Sequence, residues 1–203
     1  MLLPEAFKGC RLCPELVGCS TRVVGGEFAN PELAGKAPLL MMIGRNPGQN
    51  EDTQGRPFIG RAGKLLRNIT QQYIDSKLAV IYYTNLVKHF SPKNRPPTQT
   101  EINNCRQWLE AEVRILRPHG MMWFGREAQE AAGFGKEERH YYRTMDFVSS
   151  VSRVGSVNRV VCSNTFHPSY AARGNKEAER KIAEDIAQLY IMSRTVWNNQ
   201  KSC

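Results

Sequence analysis

Apolar residues recur along this chain in two rhythms. Leu39 to Ile43, Ala79 to Tyr83, Gly120 to Phe124 and Arg159 to Phe166 are short apolar or β-branched runs, with the length and composition of buried strands. Between and after them the spacing changes to steps of three and four. Arg61 to Tyr73 follows a helical pattern, as do Ile102, Cys105, Leu109, Val113 and Leu116, and as do Ile182, Ile186, Leu189 and Tyr190 within Lys176 to Ser193. Thr98 followed by Glu101 is a capping box that opens the second of these helices, and Pro118 stops it. Arg126 to Ala132 is a short helix ended by Gly133. Alternating strands and helices predict an α/β fold: a three-layer αβα sandwich around a central four-stranded, mostly parallel sheet, in one domain over residues 1–203. Three stretches fall outside the rhythm. Residues 1–37 form an irregular arm, Gly135 to Asn158 a loop with a hairpin in it, and residues 194–203 a frayed tail.

Chemistry gathers where the strands end. Strand one runs into Gly44-Arg45-Asn46-Pro47-Gly48 and then Gln54-Gly55-Arg56-Pro57-Phe58-Ile59-Gly60-Arg61-Ala62-Gly63; strand two ends at Asn85; strand four empties into His167-Pro168-Ser169-Tyr170. The carboxyl ends of parallel strands share one edge, so Asn46, Asn85 and His167 converge there. With Glu51 and Phe58 they suit a planar, amide-edged ligand: Phe58 to stack, Asn85 to offer donor and acceptor together, His167 to donate to a carbonyl.

Charge narrows the partner. Lys and Arg number 28 against 19 Asp and Glu, a net +9, which favours a polyanion such as nucleic acid. Arg61 and Lys64 open a helix beside the pocket, where they can steer phosphate. The sequence carries no apolar run of the roughly 20 residues a membrane span needs, and its start lacks the pattern of a secretory signal. An intracellular, reducing setting is the expectation, with no obligate protein partner and a monomeric state. There the six cysteines are ligands, reactive thiols or core residues, and the pair Cys10-x2-Cys13 fits zinc, an iron-sulfur cluster or a redox couple.

Together these motifs resemble the uracil-DNA glycosylase superfamily, in particular its family-four, iron-sulfur type. Glu51-Asp52 and Gly55 to Gly63 match the first motif, Thr84-Asn85-Leu86-Val87-Lys88 the second, and Phe166-His167-Pro168-Ser169-Tyr170 the last. The resemblance implies a monofunctional glycosylase that flips uracil out of DNA and hydrolyses its N-glycosidic bond. Phe58 stacks on the base, Asn85 reads its Watson-Crick edge, Glu51 lies near C5, and His167 stabilises the departing anion. Ser169, Tyr170 and Arg173 follow His167 where such enzymes press a loop into the minor groove. No motif carries a nucleophilic lysine, so the expected product is an abasic site without a strand break.

Two departures from family four stand out. Its first motif has a Glu where this chain has Arg45 and a small residue where it has Asn46. Gly-Arg-Asn-Pro-Gly is similar to the Gly-Ile/Met-Asn-Pro-Gly loop of the mismatch-specific and single-strand-selective branches, which implies that Asn46 positions the attacking water. Arg45 alters the pocket wall, so another deaminated base, hypoxanthine or xanthine, is the alternative substrate. A uracil or single-stranded DNA-binding protein without turnover is a third reading. The second departure concerns the cluster. The resemblance implies a 4Fe-4S cluster held by Cys10, Cys13, Cys105 and, where the family has a fourth cysteine, His89; Cys19 competes for that place. Lys88-His89-Phe90 is also similar to a subgroup that cross-links to uracil-DNA, but Ser91 to Pro97 lacks that subgroup's reactive histidine, so turnover without an adduct is expected.

Overall fold

The computed structural model describes residues 5–75, 77–135, 137, 138, 140–148 and 157–201. Its strands are β1 (Glu27–Phe28), β2 (Leu39–Gly44), β3 (Val80–Asn85), β4 (Gly120–Phe124), β5 (Tyr142–Val148) and β6 (Val157–Thr165). The helices are α1 (Glu5–Lys8), α2 (Pro14–Cys19), α3 (Gln49–Gln54), α4 (Arg61–Tyr73), α5 (Gln99–Leu116), α6 (Arg126–Ala131), α7 (Pro168–Ala172) and α8 (Lys176–Lys201). The sheet order is β1-β3-β2-β4-β6-β5, and the four inner strands are mutually parallel.

The parallel four-stranded core is the one the apolar runs predict, but the sheet has six strands. Both additions are antiparallel edges: β1 on β3, supplied by the arm, and β5 on β6. Neither leaves a continuous apolar run in the sequence. β1 is two residues long, and β5 carries Arg143 and Asp146 among its apolar positions, as an edge strand can. Residues 149–156 of the expected hairpin lie outside those described.

The expected frayed tail is corrected over residues 194–201, while residues 202 and 203 lie outside those described. α8 continues to Lys201 because its last turns are anchored: Val196 is buried, the Trp197 ring stands edge-on to His119 at 4.8 Å, and Gln200 Nε2 donates to the Arg159 carbonyl at 3.3 Å.

Alternation along the buried strands makes two cores. Leu40, Met42, Ile81, Tyr83, Met122 and Phe124 face Leu66 and Ile69 of α4 and Ile182, Ile186 and Leu189 of α8. Leu39, Met41, Ile43, Val80, Tyr82 and Met121 face Ile102, Cys105, Leu109 and Val113 of α5. Helices α4 and α5 thus cover opposite faces, and in open α/β sheets of this kind the carboxyl ends of the strands are where ligands bind. α5 begins as expected: Thr98 Oγ1 accepts from the Glu101 amide at 3.2 Å, and Glu101 Oε2 accepts from the Thr98 amide at 2.7 Å.

Candidate active site

At the end of β2, Gly44 pairs with Asn85 at the end of β3. A Cβ on Gly44 would lie 2.5 Å from Asn85 Oδ1 and 2.6 Å from Phe58 Cζ, so only a glycine lets the carboxamide and the ring meet above the strand. Phe58 is buried against Tyr83 and Phe124, with ring centroids 5.7 and 6.2 Å away. Its backbone is left-handed, φ 55, a conformation that costs a non-glycine residue about 1–2 kcal/mol. The surroundings enforce it. Arg67 Nε donates to the Phe58 carbonyl at 3.0 Å and Nη2 to that of Pro57 at 2.9 Å, while Gly63 of α4 sits so close that a Cβ there would strike the Phe58 backbone.

Glu51 is the clasp of this loop. Its Oε1 accepts from the amides of Ile59 at 3.0 Å and Gly60 at 2.7 Å, at the amino end of α4, where a carboxylate also meets the helix dipole. The neighbouring Asp52, fully buried, accepts from the Thr21 amide at 2.8 and 3.0 Å and so ties the arm to α3. Asn46 is held on both ends of its carboxamide: Oδ1 accepts from Arg45 Nε at 2.7 Å, and Nδ2 donates to the Pro47 carbonyl at 3.0 Å and to Ser91 Oγ at 3.1 Å.

His167 caps the amino end of α7. Its Nδ1 accepts from the Ser169 amide at 3.2 Å and lies 2.9 Å from Ser169 Oγ. An Nδ1 that accepts leaves the neutral ring with its hydrogen on Nε2, ready to donate. Burial, with the positive charges of Arg45 and Arg173 added and Glu127 opposing, pushes its pKa down to about 4, so the ring is neutral at pH 7. Ser169 is thus engaged in orienting His167. Tyr170 is exposed, with the Arg173 guanidinium 4.8 Å from its ring centre, and Arg61 and Lys64 are exposed on the first turn of α4.

A glycine at a strand end, a ring and a carboxamide meeting over it, and a neutral histidine across the same edge now have a lineage. The Uracil DNA glycosylase superfamily model matches residues 32–189. The chain belongs to that superfamily. The Type-4 uracil-DNA glycosylase of Saccharolobus solfataricus is 39% identical over 161 residues, covering 74% of this chain and 69% of that protein. Those of Pyrobaculum aerophilum and Thermotoga maritima are 34% and 31% identical, covering 93% and 91% of this chain and 91% and 90% of theirs.

Among the described residues no group of three or more His, Cys, Asp or Glu is arranged to hold a metal ion. Cys10, Cys13 and Cys105 are nonetheless close enough to feel one another's charge. Burial lifts the Cys105 thiol to about 11, the Lys88 side chain and amide oppose this, and Cys10 and Cys13 add to it. The Lys88 amide donates to Cys105 Sγ at 3.3 Å and Asn104 Nδ2 to Cys13 Sγ at 3.6 Å. His89 is buried on the wall of a cleft of about 490 Å³ shared with Lys8, Arg11 and Arg22; burial and Arg11 lower its pKa, against Asp52. Cys19 donates to the carbonyls of Leu16 at 3.4 Å and Phe90 at 3.2 Å.

Two buried polar clusters were not anticipated from the sequence. Lys88 Nζ, fully buried, donates to Glu112 Oε2 at 2.6 Å and Thr84 Oγ1 at 2.5 Å, and Tyr82 donates to Glu112 Oε1 at 3.0 Å. Asp185 of α8 meets His140 Nδ1 at 2.5 Å and accepts from the Tyr142 hydroxyl at 2.9 Å, while the His140 ring stands edge-on to Phe166, next to His167. The signal was present in both cases. Glu112 and Asp185 are acids set in the apolar stripes of amphipathic helices.

Proposed function

We propose that the protein is a monofunctional uracil-DNA glycosylase of base excision repair. The observation that carries this is the meeting of the Phe58 ring and the Asn85 carboxamide over Gly44. One offers a stacking face and the other a paired donor and acceptor, which is what a flipped pyrimidine presents for recognition. In this reading His167 donates Nε2–H to O2 of the base. The bond between N1 and the sugar C1′ breaks, its electron pair passes to the base, and the negative charge spreads onto O2, where a neutral donor stabilises it. Asn46 holds the water whose oxygen attacks the oxocarbenium-like sugar; that water's proton leaves to solvent and an abasic site remains. Glu51 keeps the loop closed through the amides of Ile59 and Gly60 and borders C5. Arg61, Lys64, Tyr170 and Arg173 are the exposed candidates for phosphate and groove contacts.

The three neighbouring thiols and the amide donor on Cys105 are a donor set that suits an iron-sulfur cluster. We assign a 4Fe-4S cluster to Cys10, Cys13 and Cys105, with His89 as its fourth ligand. When bound, it would supply a covalent tether for the arm and no step of base removal. The enzyme acts as a single-domain monomer inside the cell; among the described residues no helix is long and apolar enough to cross a membrane.

The deciding experiment incubates the anaerobically purified protein with single- and double-stranded oligonucleotides carrying uracil, hypoxanthine or xanthine and measures free base, abasic sites and iron. The expected result is free uracil, an alkali-labile site without a spontaneous break, no denaturation-resistant protein–DNA adduct, and loss of release in His167→Ala and Asn46→Ala. A protein that shifts uracil DNA and releases no base is a binding module, and the enzymatic reading then fails.

A further inference from the structure

Arg45 is the residue at which the first motif departs from the family-four pattern, and its side chain is anchored between two loops. Its backbone carbonyl accepts from the Val87 amide at 2.9 Å, which sets it beside the continuation of β3. From there Nε reaches Asn46 Oδ1 at 2.7 Å, and Nη2 reaches the Asn94 carbonyl at 3.1 Å, with Asn94 Oδ1 at 3.5 Å. Asn94 and Lys93 are both left-handed, φ 55 and 51, so the guanidinium fastens a strained turn to the strand end.

The consequence for Asn46 follows from donor and acceptor matching. A carboxamide has two orientations, and only its bonds choose between them. With the oxygen toward Arg45, Nδ2 faces the Pro47 carbonyl and Ser91 Oγ, itself bonded to the Arg95 carbonyl at 2.5 Å. Turned over, Asn46 would set two donors against each other at Arg45 and two acceptors against each other at Pro47. An amide oxygen has two acceptor positions, so one remains after Arg45 takes the other.

We propose that Arg45 is a positioning residue for Asn46: it fixes the carboxamide through one acceptor position of Oδ1 and leaves the other for the attacking water. This rests on the reading of Asn46 as the water-holding residue. A Glu in place of Arg45 would offer that oxygen no donor while ionised. The Arg45 charge is also felt by His167, alongside Arg173 and against Glu127.

A double-mutant cycle tests the proposal, with single-turnover release of uracil from a single-stranded oligonucleotide as the readout and DNA affinity and melting temperature as controls for folding. Arg45→Met should slow release by about 10- to 100-fold, the value of one charge-assisted hydrogen bond. Arg45→Met combined with Asn46→Ala should be no slower than Asn46→Ala alone, because a residue that acts through another loses its effect when the other is gone. The acid limb of the rate, set by His167, should move to higher pH in Arg45→Met, stay in place in Arg45→Lys, and move lower in Glu127→Gln. If Arg45→Met slows the Asn46→Ala protein by the same factor as the wild type, Arg45 acts independently and the proposal falls, while the role of Asn46 stands. If Asn46→Ala releases uracil at the wild-type rate, the reading of Asn46 itself falls and the proposal with it.

Discussion

The two ends of the parallel strands each hold a histidine of the same depressed basicity, and only one of them sits in a site. His167, past the carboxyl end of β6, and His119, before the amino end of β4, are both pushed down to about 4, in each case first by burial. His119 is consumed by the fold. Its Nδ1 accepts from the Leu39 amide at 3.0 Å, its ring also bonds the Gln200 side chain, its backbone bonds Leu39 and Val161, and the Trp197 ring stands edge-on to it. His167 also spends its Nδ1 on a neighbouring amide, but among the described residues nothing bonds its Nε2. A perturbed pKa therefore marks burial at both edges. What separates them is a donor left over, and the carboxyl edge keeps one because its residues come from loops of different strands.

The strongest test of this contrast is removal of the leftover donor. His167→Ala is expected to slow single-turnover uracil release by about 10²- to 10³-fold, in line with the loss of one preorganised donor to an oxyanion, with DNA affinity changed much less. A variant that keeps a tenth of the rate would demote His167 to a helix cap. Next in size is His119→Ala, which strands the Leu39 amide and uncovers Trp197. It should cost about 1–3 kcal/mol by denaturant titration and leave the release rate of the folded protein unchanged. Loss of turnover at full stability would join the two edges functionally and break the contrast.

Gly44→Ala probes the carboxyl edge alone. A methyl group there meets Asn85 Oδ1 and Phe58 Cζ, and Phe58 cannot retreat through Tyr83 and Phe124. The expected result is roughly a tenfold fall in release with the fold retained, read as rate against melting temperature. Full activity would show that the ring and the amide part easily, and that their meeting does not shape the pocket.

How much of this was legible in the sequence differs between the edges for a physical reason. Gly44, Phe58, Asn85 and His167 could be placed because strand ends are marked by a change from apolar to polar residues, and parallel topology brings such ends together. The bonds of Arg45 to Asn94 and of Asn46 to Ser91 were not legible, since they join loops whose mutual approach no local pattern records. At the amino edge, His119 precedes its strand without a motif, and Trp197 lies in a terminal tail, a place where fraying is the default expectation. Its packing on His119, with buried Val196 and the Gln200 bond to Arg159, shows why α8 runs on to Lys201. The cysteine pair was visible by spacing, whereas the neighbourhood of Cys105 depends on how α5 lies against the arm.

The gentlest test is acid titration of stability, and its sign follows from the same burial. His119 binds its proton only near pH 4 in the folded protein but at about 6.5 once unfolded. Between those values the unfolded chain holds more protons, so stability falls as the pH drops from about 6.5 toward 4; above 6.5 the contribution is complete and flat. Each such histidine contributes at most about 1.4 kcal/mol per pH unit inside that window. His167 obeys the same rule, so the wild type should lose stability at pH 5 to 6 while the folded enzyme still turns over, its rate failing only nearer pH 4. Comparing wild type with His119→Ala isolates the amino edge, because His167 and His89 titrate in both. The stability difference between the two proteins should shrink on acidification from pH 6.5 to 4.5 and be constant from 7 to 8. A difference that ignores pH would mean that His119 is not held neutral by burial, and the likeness between the two edges would then rest on His167 alone.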